Sequence, residues 1–187
     1  MNKIVTSFIA ACASMLSLTS IAHASDPYVG VGAGSFTLDD GFTSRANAFG
    51  SYLQVGDNFS EYLGGEIRIG ASGSTKEEFA VVPGNKINYF AAAFLKPQIL
   101  IADKFTGYGL IGVGTIRATH SPVAGLSTSK TRSGLGYGLG FSYQALEYLS
   151  VSGEWSHLNS KPTGASSVNY QGVSACMYTL SLQYHLY

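Results

Sequence analysis

His157 is the side chain whose surroundings in the sequence come nearest to a catalytic group. Ser160 is the nearest hydroxyl that follows it, and Asn159 stands between the two. Catalysis by serine needs a histidine base that a carboxylate holds in orientation. No Asp or Glu follows Glu154 anywhere in the chain, so the sequence does not favour a hydrolase at this position.

The other histidines and the glycine runs offer no cofactor site. His120, His157 and His185 are spread over three predicted strand ends and lack the spacing of metal ligands. The glycine-rich segment 107–114 could suggest a phosphate cradle, but such a cradle opens a helix, and no helical pattern follows. We therefore predict no metal and no cofactor.

Five charged side chains form a stronger candidate, and their chemistry is ionic pairing. By strand alternation all of them point to the inward side of their strands: Glu66, Arg68, Lys96, Arg132 and Glu154. A charge inside a membrane protein is costly unless it is paired or wet, and buried pairs stabilise only when their hydrogen bonds are complete. We predict that these residues form one mutually satisfied structural network.

The strands that must position these residues are marked by strict alternation. In residues 135–143, large apolar side chains alternate with glycine or serine. Successive strand side chains point to opposite faces, so one face is leucine and aromatic while the other is almost bare backbone. This pattern is typical of a small closed barrel with little room in its lumen and lipid outside.

Eight segments carry strand signals, with short and long connections between them in turn. The predicted strands are 28–38, 46–55, 62–73, 87–101, 105–118, 131–144, 148–158 and 173–187. The short connections are 56–61, 102–104 and 145–147, and the longer ones are 39–45, 74–86, 119–130 and 159–172. Short turns at one end and long loops at the other are typical of the periplasmic and extracellular ends of a membrane barrel.

Parity assigns a facing to most of these strands. In the fourth strand it points Ile87 outward and Phe90 inward, while the glycine-rich first and fifth strands stay ambiguous. Outward aromatics are expected at the membrane interfaces: Tyr137, Tyr143, Trp155, Tyr178 and Tyr184. His157, on the same face as Trp155, is interpreted as an interface residue as well.

The first residues read as an export signal. Lys3 precedes the apolar stretch 4–21, and residues 22–24 fit the small-x-small rule of signal peptidase. We expect cleavage after Ala24, which leaves 25–187 as one domain. A lipobox ending at Cys12 is a rival interpretation, but its apolar core would be too short.

The composition limits the classes of partner. Charged residues make up 12 % of the chain and the formal net charge is zero, which gives no reason to expect a nucleic-acid partner. Cys176 would be the only cysteine after cleavage, so no internal disulfide can form. No later segment has 18 uninterrupted apolar residues, as a transmembrane helix would.

Three parts of the sequence resemble the family of small outer-membrane β-barrels that includes the OmpA/OmpX-type and opacity-protein barrels. They are 61–68 after a hairpin turn, 108–114, and 134–143 running through 149–155. The resemblance extends over essentially all of 28–187. It implies an all-β fold, an eight-stranded antiparallel up-and-down transmembrane β-barrel after a cleaved signal peptide, in the cell outer membrane.

The family resemblance also implies partners and a broad role. Expected partners are outer-membrane lipids and lipopolysaccharide, the outer-membrane insertion machinery, and a host or environmental surface ligand met by four extracellular loops. The barrel is expected to be a monomer and not an enzyme. Because the family includes adhesins, serum-resistance factors and envelope-stability proteins, the implied role is structural or surface-interactive.

Two other functions stay open. Lipid A deacylase barrels of the same size carry a serine two residues after a histidine and a glutamate near the last strand, where this chain has Asn159 and Gln171. A soluble periplasmic barrel that binds an apolar ligand would need a hydrophobic lumen, and the polar inward faces disfavour it.

The C-terminal residues depart slightly from the family pattern. Tyr184, Leu186 and Tyr187 are the expected insertion signal, and family chains end in an aromatic that continues the lipid-facing phase. Here that phase ends at Leu186, and Tyr187 is one residue out of step. A bulge near the terminus could restore the phase.

Overall fold

The computed structural model describes residues 26–39, 46–73, 86–123, 126–159 and 174–186. Its strands are β1 (Asp26–Asp39), β2 (Ala46–Ser60), β3 (Leu63–Ser72), β4 (Lys86–Ala102), β5 (Phe105–Val123), β6 (Leu126–Leu146), β7 (Leu149–Asn159) and β8 (Ser174–His185). In these ranges no helix is long and apolar enough to cross a membrane.

The eight strands close into one barrel, and each strand pairs with the next along the chain. The chain closes where β8 returns to β1, antiparallel, with Tyr28 opposite His185 and Leu38 opposite Ala175. Within the closed wall every strand has a neighbour on both sides, so its N–H and C=O groups are not free to pair with another chain. The predicted eight-stranded antiparallel barrel is confirmed.

Alternation divides the side chains between the two faces of the barrel wall. On β6 the outward Leu135, Leu139 and Phe141 are about two-thirds exposed, at 65 %, 65 % and 66 %. Over the parts of β7 and β8 nearer the short turns, the inward residues are polar and buried: Ser150, Ser152, Glu154, Ser156, Thr179, Ser181, Gln183 and His185. An apolar outer surface around a polar interior is the arrangement that a lipid environment requires.

The inward glycines of β6 are required by close packing. A Cβ atom added at Gly138 would lie 2.7 Å from the carbonyl oxygen of Trp155 and 2.9 Å from the Cβ of Ser156. One added at Gly140 would collide with the ring of Tyr108. Gly140 therefore leaves the space that the Tyr108 ring fills, and Gly138 leaves space for the neighbouring strand β7.

One predicted facing is wrong. Ile87 points inward and is fully buried, although parity assigned it to the outer face. The register between β4 and β5 shifts between Ile87 and Tyr89, and such an irregularity reverses the phase of the residues beyond it. Phe90 and Phe94 face inward, as parity indicated.

Two connections are shorter than the sequence suggested. β2 continues through Ser60, so the turn before β3 holds two residues instead of the predicted 56–61. Most of the predicted loop 119–130 is strand, because β5 and β6 stay paired as far as Val123 and Leu126. The remaining turns, at 103–104 and 147–148, lie within two residues of their predicted positions.

Several predictions fall outside the described residues. They concern the signal peptide 1–24, most of the connections 39–45, 74–86 and 159–172, and the terminal Tyr187. The described strands nevertheless fix the ends at which the connections meet the barrel: the two-residue turns 61–62, 103–104 and 147–148 at one end, and at the other 40–45, 73–85, 160–173 and residues 124–125 of the extended β5–β6 hairpin.

Candidate functional site

An ionic cluster crosses the lumen in the half nearer the short turns, the lower half. Arg68 on β3 donates from Nη1 and Nη2 to the two carboxylate oxygens of Glu154 on β7, at 2.5 Å each. Its Nε donates to the Glu66 carboxylate at 2.6 Å, and Nη2 contacts that carboxylate as well. All three residues are buried, so one guanidinium joins two carboxylates inside the barrel.

Tyrosines and a lysine complete the hydrogen bonds of this cluster. The Tyr28 hydroxyl donates to Glu66 at 2.7 Å, and the Tyr108 hydroxyl donates to Glu154 at 3.2 Å. Lys96 donates to the Tyr28 oxygen at 3.2 Å, and its ammonium lies 4.7 Å and 5.0 Å from the ring centres of Tyr28 and Tyr108. Two carboxylates therefore face two cations, and the charges balance.

Arg132 does not belong to this cluster. It stands opposite Ile116 and is half-buried, whereas Glu154 stands opposite Gly140 on the same strand. Eight residues of strand separate these positions, about 26 Å along β6. An arginine side chain cannot bridge that distance, so the predicted network of five charges comprises four in the structure.

The upper half of the lumen, nearer the long connections, is filled by an apolar cluster that reaches down to Tyr108 beside the ionic cluster. It comprises Phe36, Tyr52, Ile87, Phe90, Ala92, Phe94, Tyr108, Leu110, Ile116, Leu158, Ala175 and Met177. Of its members, parity predicted the inward facing of Phe90 and Phe94. Arg68 joins the two halves, because its guanidinium carbon lies 4.9 Å and 5.3 Å from the ring centres of Tyr52 and Phe94. A guanidinium can bond carboxylates with its edge while its faces stack on rings.

A second polar cluster, here called the seam triad, lies where β8 meets β1. Ser150 Oγ is 2.8 Å from Nε2 of His185, and Nδ1 of His185 is 2.7 Å and 2.9 Å from the two carboxylate oxygens of Asp26. Asn58 donates to the same carboxylate at 2.8 Å. The order of atoms is that of a Ser-His-Asp catalytic triad.

The accessibility of the seam triad is the reverse of what catalysis needs. The side chain of Asp26 is 31 % exposed, whereas Ser150 is 4 % exposed inside the filled lumen. A nucleophilic serine must reach a substrate carbonyl, and the acid of a triad is the buried member. The geometry instead fits a polar clasp that ties β1, β7 and β8 together at the closure of the barrel.

Sequence reasoning missed the seam triad, although the inward parity of Ser150 and His185 was available. No carboxylate follows Glu154 in the sequence, and the one that completes the triad lies near the N-terminus. Asp26 lies 159 positions before His185 and comes near it only because the barrel closes.

His157, the histidine that sequence reasoning singled out, lies on the outer face. It stands opposite Cys176, and its ring centre is 5.2 Å from that of Tyr137. Trp155 packs against Tyr137 at 5.8 Å and donates to the sulfur of Cys176 at 3.0 Å. All five predicted interface aromatics lie on this outer face: Tyr137, Tyr143, Trp155, Tyr178 and Tyr184.

In the expected insertion signal, Tyr184 and Leu186 also lie outward, with 48 % and 46 % of their surfaces exposed. No group of three or more His, Cys, Asp or Glu side chains in the described strands and turns is arranged to hold a metal ion.

The sequence matches a family model over residues 8–185, nearly the whole chain, and the family is described as "Outer membrane protein beta-barrel domain". The chain belongs to this outer-membrane β-barrel family. Its location is therefore the outer membrane of a Gram-negative cell envelope, and the outward apolar surface meets lipid. This location overturns the alternative of a soluble periplasmic barrel.

Solved structures of other outer-membrane proteins share the fold of this family member. Neisserial surface protein A is 13 % identical, with a TM-score of 0.69 over 87 % of this chain and 99 % of its own. The attachment invasion locus protein Ail of Yersinia pestis, in complex with the heparin analogue sucrose octasulfate, is 16 % identical, with a TM-score of 0.60 over 88 % of this chain and 100 % of its own. The N-terminal barrel of Pseudomonas aeruginosa OprF is 12 % identical, with a TM-score of 0.56 over 85 % of this chain and 97 % of that one. No curated protein matches the sequence.

Proposed function

We propose that this protein is a non-catalytic outer-membrane barrel whose role is structural or surface-interactive and is carried by its four outer connections. The observation that carries the proposal is the filled lumen. Ionic pairs occupy one half and packed rings the other, with Arg68 and Phe90 2 % and 1 % exposed. An eight-stranded barrel has an interior only wide enough for its own side chains, so contact with other molecules falls to the ends and the outer wall.

Two further observations support a surface role. The long connections leave the barrel at the end opposite the short turns, which in this architecture is the extracellular end. A barrel of the same fold, Ail, binds a heparin analogue. Loops held by a rigid scaffold are where recognition is usually found.

The lipid-modifying enzyme stays the alternative function. The histidine that such an enzyme would use, His157, faces the lipid beside Tyr137, and the serine of the seam triad is enclosed in the lumen. Neither observation favours the enzyme. None of the three neighbours named above carries an enzyme's name. Lipid A from cells that express the protein is the direct test, because a deacylase would remove an acyl chain that mass spectrometry detects.

The proposed function is tested by replacing connections 74–85 and 160–173, one at a time, with short Gly-Ser turns. Attachment of expressing cells to immobilised heparin is measured, together with their resistance to bile salts. We expect the shortened barrels to fold and at least one of the two properties to fall. The proposal fails if both properties match those of the full-length protein, or if lipid A loses an acyl chain only in expressing cells.

A further inference from the structure

The outer wall of the barrel carries an apolar trough across β1, β2 and β3. Its floor is made of small residues in register: Ala33 is opposite Ser51, and Ser51 is opposite Ala71. Leu53 and Ile69 also line it, and in strand order the lining extends from Val151 on β7 to Tyr89 on β4. The trough has a volume of about 800 Å³, within the range of small-molecule and lipid pockets.

The floor is low because its outward side chains, Ala33, Ser51 and Ala71, are small, and glycines on the inner face let rings of the lumen pack against the wall from the other side. Each floor residue has a glycine beside it along the chain: Gly32 before Ala33, Gly50 before Ser51 and Gly70 before Ala71. A Cβ atom at Gly50 would lie 2.6 Å from the ring of Phe36, and one at Gly70 would lie 2.6 Å from the ring of Phe90. The apolar cluster thus packs directly on bare backbone, and small side chains outside leave the backbone uncovered.

Two exposed basic side chains lie beside the Tyr89 end of the trough. Tyr89 stands opposite the exposed Arg117 on β5, and the exposed Lys86 begins β4 three residues away. The strands β4, β5 and β6 contain no Asp or Glu. Guanidinium and ammonium groups at such a position bind phosphate.

The apolar trough and the two basic residues lie at depths in the membrane that suit a lipid with a charged headgroup. Ala71 and Tyr89 lie within three residues of the ends of β3 and β4 that lead to the long connection 74–85. This is the extracellular end, so the Tyr89 end of the trough opens to the hydrocarbon of the outer leaflet and the basic residues to its headgroups. From there the trough runs obliquely toward Val151 and Leu182, which lie nearer the opposite end of the barrel.

From these two features we propose that the trough and the pair Arg117 and Lys86 form one binding site for lipid A, with an acyl chain along the trough and a phosphate on the two cations. The inference goes beyond the proposed function, because it gives a site on the barrel wall to the lipopolysaccharide that the family resemblance implied as a partner. Lipid A is favoured over a second copy of the chain because the trough is concave and ends in like charges, which two copies would bring together.

The test measures retention of lipid by the refolded mature chain with native mass spectrometry. The probes are bisphosphorylated lipid A, dephosphorylated lipid A and phosphatidylglycerol. Arg117→Gln and Lys86→Gln remove the cations, with Lys104→Gln in a short turn as the matched control. Ala71→Phe fills the trough, and Ala93→Phe places the same ring on the outer wall of β4, away from the trough.

We expect the wild type to retain one lipid A molecule. The retained fraction should fall about fivefold after each removal of a cation, and Ala71→Phe should retain none. Both control variants should match the wild type. Equal retention in the test variants, or equal retention of dephosphorylated lipid A or phosphatidylglycerol, would overturn the proposal. The readout is separate from that of the proposed function, because barrels with shortened loops keep the trough and should retain lipid A even if heparin attachment is unaffected.

Discussion

Arg68 and Glu154 meet across the lumen in a bidentate pair, with both terminal nitrogens of the guanidinium 2.5 Å from the two carboxylate oxygens. The residues are 86 positions apart and stand on β3 and β7, nearly opposite each other in the barrel. A planar fork that matches a carboxylate fixes orientation as well as distance. The pair therefore acts as a brace between the two halves of the barrel wall.

Replacing Glu154 by leucine is expected to destabilise the barrel. The variant leaves Glu66 facing both Arg68 and Lys96, so one positive charge in the lumen loses its counter-charge. Breaking a buried pair in this way typically costs about 3–5 kcal/mol. The temperature at which the folded band converts to the unfolded band on an unboiled gel should fall.

The conservative Glu154→Gln variant keeps the shape and some hydrogen bonds, and should lie between the wild type and Glu154→Leu. Asp103→Asn, in an exposed turn, is the control and should match the wild type. A conversion temperature for Glu154→Leu equal to that of the control would show that the ionic cluster does not stabilise the fold.

Gly138→Ala is expected to lower the conversion temperature, because the added Cβ would lie 2.7 Å from a backbone carbonyl oxygen of β7. Gly109→Ala is the matched variant, since there the nearest atom to the new Cβ is 3.6 Å away. Equal conversion temperatures for the two alanine variants would show that close packing is not the reason for the inward glycines of β6.

Ser150 is expected to resist a fluorophosphonate probe, which labels activated serines. Its hydroxyl is enclosed in the lumen, and the open end of the seam triad is the carboxylate of Asp26. Labelling is measured on the folded protein by mass spectrometry. Labelling that disappears in Ser150→Ala would contradict the assignment of the triad as a clasp and favour the enzyme.

The filled lumen predicts that the protein does not conduct ions. In planar bilayers the wild type should show no discrete current steps, because Arg68 and Phe90 close successive levels of the interior. A larger porin tested in the same membranes serves as the positive control. Reproducible steps from the purified, folded wild type would show an open path through the barrel.

The fold was predictable because it rests on parity, and parity is local. Large apolar side chains alternate with glycine in 135–143, and that periodicity alone separates the lipid face from the lumen face. Ile87 shows the limit of parity. A register shift beside Tyr89 places Ile87 on the inner face, and no residue type in the sequence indicates such a shift.

Contacts within the lumen were less predictable, because parity gives a direction but no height. Arg132 and Glu154 both have inward parity, yet they lie at different levels of the barrel. The seam triad shows the converse, since Asp26 and His185 meet only through closure of the sheet. The height of a residue along the barrel axis depends on the register between paired strands. That register cannot be read from the residues of one strand.

The central claim is an outer-membrane barrel whose longer connections face the outside of the cell. The most direct measurement is labelling of intact cells with a membrane-impermeant maleimide, in a Cys176→Ser background that carries either Thr163→Cys in the connection after β7 or Asp103→Cys in the turn after β4. The account predicts that Thr163→Cys is labelled on intact cells and that Asp103→Cys is labelled only after lysis. Labelling of Asp103→Cys on intact cells, or of neither position until lysis, would contradict it.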